Sequence, residues 1–411
     1  MSSSASSRSR IINLWAGIAL GLTTFTGCAE PGNAPLAPAL DHAAKVTSTA
    51  VAGWQGEART QVAAHNLSPL AAGRVFAALA VAQYAAIDRV EPAHADGTLP
   101  GLGYGPGGRK RFEAERGAVA GASWTVLQFF FPNAIAALDQ RLAGDEQVAG
   151  GEHFTRGVDA GKEVGGELVQ RTVNDGFTKP WTGTVPVGPG LWVANGPPAG
   201  ATLGDVTPYF MTSGGQFLPP APPVFNTPEF ITARDEIRTL SETRTAQQLA
   251  IAQFWNFPTG TYTPVGYWNE LASSYITENR LDERAAAHVF ALTHAAAFDA
   301  LIGCWHAKYT YWFLRPSQAD PMITLPIGLP NHPSYPSGHS CNSAAATGVL
   351  AHFFPAHEQE LDQALAEAGV SRMYAGIHYR FDILAGQNLG AAVARLAIDT
   401  DRNAGLLSVI Q

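Results

Sequence analysis

Three groups of residues near the C-terminal end have the types and spacing needed to hold a small anion. In "KYTYWFLRP", Lys308 and Arg315 flank a run of aromatic and apolar residues. A cation in such a segment is buried, and a buried cation needs an anionic partner. Their spacing of two helical turns puts both on one face of a helix, which Pro316 then ends by biasing Arg315 away from helical geometry. In "NHPSYPSGHS" (331–340), Pro336 stiffens the chain and Gly338 permits close backbone approach just before an apolar helical run. The N–H groups of Ser337, Gly338 and His339 then face a helix N-terminus, where unpaired amides attract anions, and Ser337 adds a hydroxyl. His339, with an ordinary pKa of ~6.5, would stand beside the anion as a proton donor or acceptor. In "SRMYAGIHYRFD", Arg372 is a third cation. Asp382, one helical turn after His378, can accept a hydrogen bond from one imidazole nitrogen, leaving the other to attack an electrophile or bind a metal. Each group alone also reads as ordinary structure: solvated cations, a capping turn, a surface His–Asp contact. Together they offer three cations, an amide nest and two differently placed histidines. That is the equipment for a tetrahedral oxyanion, with Arg binding in bidentate fashion and Lys as a point charge.

Helices must position these groups. Apolar residues recur three and four apart in "LAAGRVFAALAVAQYAAIDRV", "RFEAERGAVAGASWTVLQFFF", "DERAAAHVFALTHAAAFDALIGCW", "HSCNSAAATGVLAHFF" and "RFDILAGQNLGAAVARLAI". No alternating strand pattern stands out, so the expected class is all-α, built as stacked helical bundles. An N-terminal helical half spans 46–179 and a C-terminal half carrying the oxyanion site spans 229–411. Between them, 180–228 is rich in Pro and Gly but keeps Trp and Phe, which a disordered linker would shed. It is read as an ordered loop, either a functional cover or an interdomain strap. "RVFAALAVAQYAAID" echoes "HVFALTHAAAFDALI", with Val75 and Phe76 matching Val289 and Phe290, and Tyr84 matching Phe298. The echo suggests two related halves.

The chain has 411 residues, of which 46% are hydrophobic and 15% charged, with a net charge of −8. A large core is available, and no basic footprint invites nucleic acid. Arg8 and Arg10 precede a short apolar stretch, Ile11 to Phe25, which reads as an export signal over 1–27. It ends in "FTGC", which resembles a bacterial lipobox with Cys28 as the lipidated residue; residues 28–45 read as a flexible tether. No later apolar run reads as long enough to span a bilayer. The expected product is an exported periplasmic or cell-envelope lipoprotein, attached to the membrane only through a lipid or signal anchor. Cys304 and Cys341 have no metal-site spacing. They are read as two small buried residues, with pairing in an oxidising compartment as the alternative. His294 is read as a core histidine.

Lys308 with Arg315 and Pro316 matches K-x6-RP, Pro336 to His339 matches PSGH, and Ser371, Arg372, His378 and Asp382 match SR-x5-H-x3-D. In these three motifs the sequence resembles the type 2 phosphatidic acid phosphatase and vanadium haloperoxidase superfamily, and "FWNFPTGTYTPVGYWNELA" looks like its soluble bacterial haloperoxidase-type members. The resemblance implies a vanadium haloperoxidase-like fold. It also implies that Lys308, Arg315, Ser337, Gly338 and Arg372 hold the oxygens of vanadate, that His378 ligates the metal, and that His339 assists peroxide binding. Hydrogen peroxide and halide would then be the substrates. Phosphate can occupy the same cage, so the alternative is a phosphatase acting on phosphate esters through a phosphohistidine at His378, with His339 protonating the leaving group. In both, Asp382 orients His378. A non-catalytic oxyanion-binding lipoprotein is the third reading. Trp305 and His332, at positions where haloperoxidases carry Trp and either His or Phe, are expected to line the substrate pocket. The halide, the organic acceptor and homo-oligomerisation stay open.

Overall fold

The computed structural model describes residues 49–90 and 106–409; the export segment 1–27, Cys28 and the tether lie outside the described residues. The helices are α1 (Ala50–Ala64), α2 (Pro69–Val90), α3 (Pro106–Phe130), α4 (Ile135–Ala149), α5 (Glu152–Val173), α6 (Pro228–Glu242), α7 (Ala246–Phe254), α8 (Thr263–Glu278), α9 (Glu283–Tyr311), α10 (Pro316–Ala319), α11 (Gly338–Phe353), α12 (Glu358–Tyr374) and α13 (Arg380–Ala404). Among the described residues the only β pairing is an isolated antiparallel bridge between Leu191 and Phe313. Several helix starts are encoded locally. Thr49, Thr245 and Asp282 each accept a hydrogen bond from an amide of their own first turn, and Thr245 and Gln248 form a capping box.

Two helix trios make up the core. α2, α3 and α5 pack on one another, α9, α11 and α13 do the same, and α2 lies along α9 to join them. Small residues set the spacing in both. A Cβ on Gly161 of α5 would lie 2.1 Å from the Ala118 carbonyl of α3, and one on Gly390 of α13 would lie 2.2 Å from the Cys341 carbonyl of α11. Nothing larger than glycine permits that approach. The echoed residues fall at the junction: Phe76 of α2 and Phe290 of α9 both stack on His294, with centroids 5.4 and 6.0 Å away.

The structure departs from two sequence expectations. By length and composition α2 and α9 could each cross a bilayer, but 83% and 89% of their most apolar windows are buried inside the protein. They are the Ala-rich interior helices of the two trios. Cys304 and Cys341 are not separate thiols: they form a disulfide between α9 and α11, with Cα atoms 6.3 Å apart, a separation a disulfide spans.

The Pro/Gly-rich stretch between α5 and α6 is ordered by specific contacts. Asp299 of α9 accepts the amides of Tyr209, Phe210 and Met211 at 2.7, 2.7 and 2.9 Å. Trp192 N–H donates to Trp312 O, and Ala199 N–H donates to Asn331 O. The stretch therefore lies against the end of α9 and the bend that follows it.

Candidate active site

Lys308 sits in the last turn of α9. The helix ends at Tyr311, earlier than Pro316 implied, because Trp312 adopts the left-handed conformation (φ 50°) and its N–H returns to Lys308 O. Arg315 then lies on extended backbone ahead of α10. The two cations do meet, through this reversal of the chain and not through a shared helix face. Both are fully buried. Lys308 Nζ donates to the carbonyls of Pro333 and Ser334 at 2.8 Å and of Pro336 at 2.5 Å. Arg315 donates to His332 O through Nε (3.1 Å) and Nη2 (3.0 Å), and to Ile377 O through Nη1 (2.8 Å).

The bend 331–337 enters α11 through a cis Tyr335–Pro336 peptide, with Ser337 as N-cap. Ser337 N–H is taken by Asp382 O at 2.9 Å, so the amide nest narrows to Gly338 and His339, which have no partner among the described residues. Ser337 Oγ accepts from Ser340 N, leaving its own proton to donate. A Cβ on Gly338 would press on the Trp305 ring at 3.0 Å.

His378 and Asp382 are not on one helix face either. His378 precedes α13, and Asp382 is in its first turn. Asp382 Oδ2 accepts from His378 Nδ1 (2.8 Å), Ser334 Oγ (2.6 Å) and Tyr379 N–H (3.1 Å). The Nη1 of Arg315 lies 3.0 Å from His378 Nε2. A guanidinium only donates, so Nε2 carries the lone pair and Nδ1 the proton. Burial, then the charges of Arg315 and Lys308, hold the His378 pKa well below its ordinary value. Burial raises Asp382 to about 6, against the pull of the Ser334 hydrogen bond and Lys308.

Arg372, in the last turn of α12, is buried and donates to Ser371 Oγ and Ala252 O, both at 2.9 Å. Burial pulls Arg372 down to about 9, Arg315 to about 10 and Lys308 well below its usual range. Among the described residues no carboxylate pairs directly with any of the three. The charge of Asp382 partly offsets burial at Lys308 and Arg315, whereas burial alone accounts for the lowering at Arg372. Half-buried His339 has Nε2 2.9 Å from Trp255 O, and burial, then Arg372, lowers its pKa to about 3. His332 Nδ1 lies 3.0 Å from Arg315 Nη2, and its ring is 4.9 Å from Trp305. Trp305 donates to Ala199 O of the Pro/Gly-rich loop at 3.1 Å.

Linked contacts thus join Lys308, Arg315, His332, His378 and Asp382 around one bend, with Trp305 beside it; Ser337, Gly338 and His339 follow directly in the chain. His294 stands apart in the α2–α9 interior, bonded to Asn269 at 2.8 Å. Two contributors carry no clear sequence signal. Ser334 is a second side-chain donor to Asp382, and α7 with the residue after it supplies carbonyls to Arg372 and His339.

Residues 284–405 match the PAP2 superfamily. The fold is similar to that of the first bacterial vanadium-dependent iodoperoxidase, with a TM-score of 0.70 at 23% identity over 86% of this chain and 97% of that one. It is also similar to a bacterial vanadium-dependent chloroperoxidase. The holo form gives a TM-score of 0.64 at 16% identity over 84% of this chain and 93% of that one. The apo form gives 0.66 at 16% over 84% and 96%. No curated protein matches the sequence. The C-terminal part of the chain, residues 284–405, thus matches the PAP2 superfamily, and the whole takes an all-helical fold similar to that of the bacterial vanadium haloperoxidases.

Proposed function

We propose that this protein is a vanadate-dependent haloperoxidase, using hydrogen peroxide to oxidise a halide. The observation that carries this is the charge balance of the site. Two buried cations, Lys308 and Arg315, share a single nearby carboxylate already committed to His378, the lone pair of His378 Nε2 lies against Arg315, and a third buried cation, Arg372, acts with them on His339. A multiply charged oxyanion offsets that excess, and a neutral imidazole nitrogen suits a metal at its centre. The donor set fits vanadate: Lys308, Arg315, Arg372, the Ser337 hydroxyl and the Gly338 amide would hold its oxygens, and His378 Nε2 the metal. When bound, vanadate supplies the Lewis acidity that activates peroxide toward halide.

The protein's own groups do the rest. Asp382, accepting from His378 Nδ1, keeps Nε2 free of a proton and the ring in one orientation. His339, with Nε2–H held by Trp255 O, presents Nδ1 as an acceptor for a proton of incoming peroxide. Trp305 and His332 make one wall of the pocket, beneath the loop at Ala199. Export and lipidation at Cys28 belong to the same proposal.

A second reading draws support from the match of residues 284–405 to the PAP2 superfamily. His378 Nε2 would then attack the phosphorus of a phosphate ester, and the alcohol would leave with a proton from His339. Orthovanadate-loaded protein assayed for halogenation of a phenol with bromide or iodide and peroxide, beside vanadate-free protein on a chromogenic phosphate ester, separates the two. Vanadate-dependent halogenation without ester hydrolysis is expected. Ester hydrolysis inhibited competitively by vanadate overturns it in favour of the phosphatase. Neither activity, with tight phosphate binding, leaves a binding protein.

A further inference from the structure

We propose that Trp255, in the "FWNFPTGTYTPVGYWNELA" segment outside the PAP2-matching residues, is a positioning residue for proton handling: its carbonyl fixes the tautomer and direction of His339, and its indole, tied to Glu367, holds that carbonyl in place. The proposal rests on the reading of His339 as the proton-handling group.

Helix α7 ends at Phe254, with Trp255 as its C-cap. Carbonyls at a helix C-terminus have no intrahelical donor, so they are available to outside partners. Here they meet two site residues from separate motifs: Ala252 O takes Arg372 Nη2 at 2.9 Å, and Trp255 O lies 2.9 Å from His339 Nε2. The negative end of the α7 dipole suits the guanidinium. For His339 the effect is chemical. A backbone carbonyl only accepts, so Nε2 must carry the proton, and Nδ1 is the one nitrogen left with a lone pair. Without that carbonyl the imidazole would exchange between tautomers and present a lone pair at Nδ1 only part of the time.

Trp255 is itself anchored. It is fully buried, and its Nε1–H donates to Glu367 Oε1 of α12 at 3.0 Å, one and a half turns before Arg372. Its ring packs against Tyr267 and Trp268, with centroids at 5.0 and 5.7 Å. Trp268 donates to Ser343 Oγ at 3.1 Å, one turn after His339 on α11. The two indoles thus bind this segment to α12, which carries Arg372, and to α11, which carries His339.

The test uses Trp255→Phe, which keeps the carbonyl and most of the ring but deletes the indole N–H, together with Glu367→Leu and the conservative Glu367→Gln. Nitrogen NMR of histidine-labelled, vanadate-free protein reads the tautomer, with the His339 signals identified by their loss in His339→Gln. Steady-state kinetics of the orthovanadate-loaded enzyme read kcat and the peroxide KM. The expected result is a single Nε2–H tautomer in the native protein and in Glu367→Gln, and tautomer exchange in Trp255→Phe and Glu367→Leu. In the latter two kcat should fall about tenfold, less than the ~10²–10⁴ for outright loss of an acid–base group because His339 itself remains, with orthovanadate affinity held within about threefold. A native His339 protonated at Nδ1 overturns the proposal. So does a single tautomer surviving in both Trp255→Phe and Glu367→Leu, or Glu367→Gln failing as badly as Glu367→Leu. The NMR arm needs no turnover, so it decides the positioning even if halogenation is absent.

Discussion

The trio α2, α3, α5 and the trio α9, α11, α13 are built alike and charged differently. Both are closed by glycines against a neighbour's backbone, and both place a Val–Phe pair in the shared interior. The first also buries cations, but gives each a carboxylate. Arg74 is held by Asp175 at 2.7 and 2.8 Å, and Arg116 by Asp145 at 2.7 Å with Glu283 at 3.6 Å. On the side of the second trio, in α9, the bend after it and the neighbouring α12, Lys308, Arg315 and Arg372 meet carbonyls, hydroxyls and imidazoles. The same elements therefore make a self-contained scaffold on one side and an electrostatically incomplete site on the other. The difference lies in where the carboxylates stand.

Crossing the two sides tests this. The largest effect is expected from Arg74→Met, which strands Asp175 in the interior: about 3–5 kcal/mol lost in urea unfolding, with phosphate and orthovanadate affinity of the folded protein unchanged. Arg372→Met should do the reverse. Oxyanion affinity falls by ~10²-fold, in the range for loss of a desolvated charge partner, while stability drops far less than in Arg74→Met. Equal destabilisation by the two would erase the distinction.

Glycine seams give a finer comparison. Gly161→Ala and Gly390→Ala each force two backbones apart and should each cost about 1–3 kcal/mol. Only Gly390→Ala should also weaken oxyanion binding in calorimetry, because its clash is with Cys341 of the helix that carries His339.

The smallest effect at neutral pH concerns His294 at the junction. Burial, then Arg59, depresses its pKa to about 3. A depressed folded value means a contribution that is whole above the unfolded value of ~6.5 and lost as pH falls toward the folded value. His294→Gln should flatten the acid limb of the stability curve in that window. An unchanged limb would show that other groups govern acid unfolding.

The sequence announced the charged residues of the site and much of the fold, because Ala-rich helical periodicity and the spacing of Lys308, Ser337, Arg372 and His378 are side-chain information. It was less informative about how they converge. Trp312 takes a positive φ that nothing in its side chain favours, so α9 read as continuing to Pro316. The partners of Lys308 and Arg372 are largely backbone carbonyls, which every residue carries. Cys304 and Cys341 looked unpaired because only folding brings α9 against α11.

The three carbonyls on Lys308 have a consequence for loading. The 333–336 bend is closed around an ammonium supplied by the chain itself, so the cage reaches its working shape without waiting for cargo. Occupancy should then be a reversible equilibrium set by the surrounding concentration of oxyanion. Dialysis should empty the protein and replenishment should refill it, with no refolding in between.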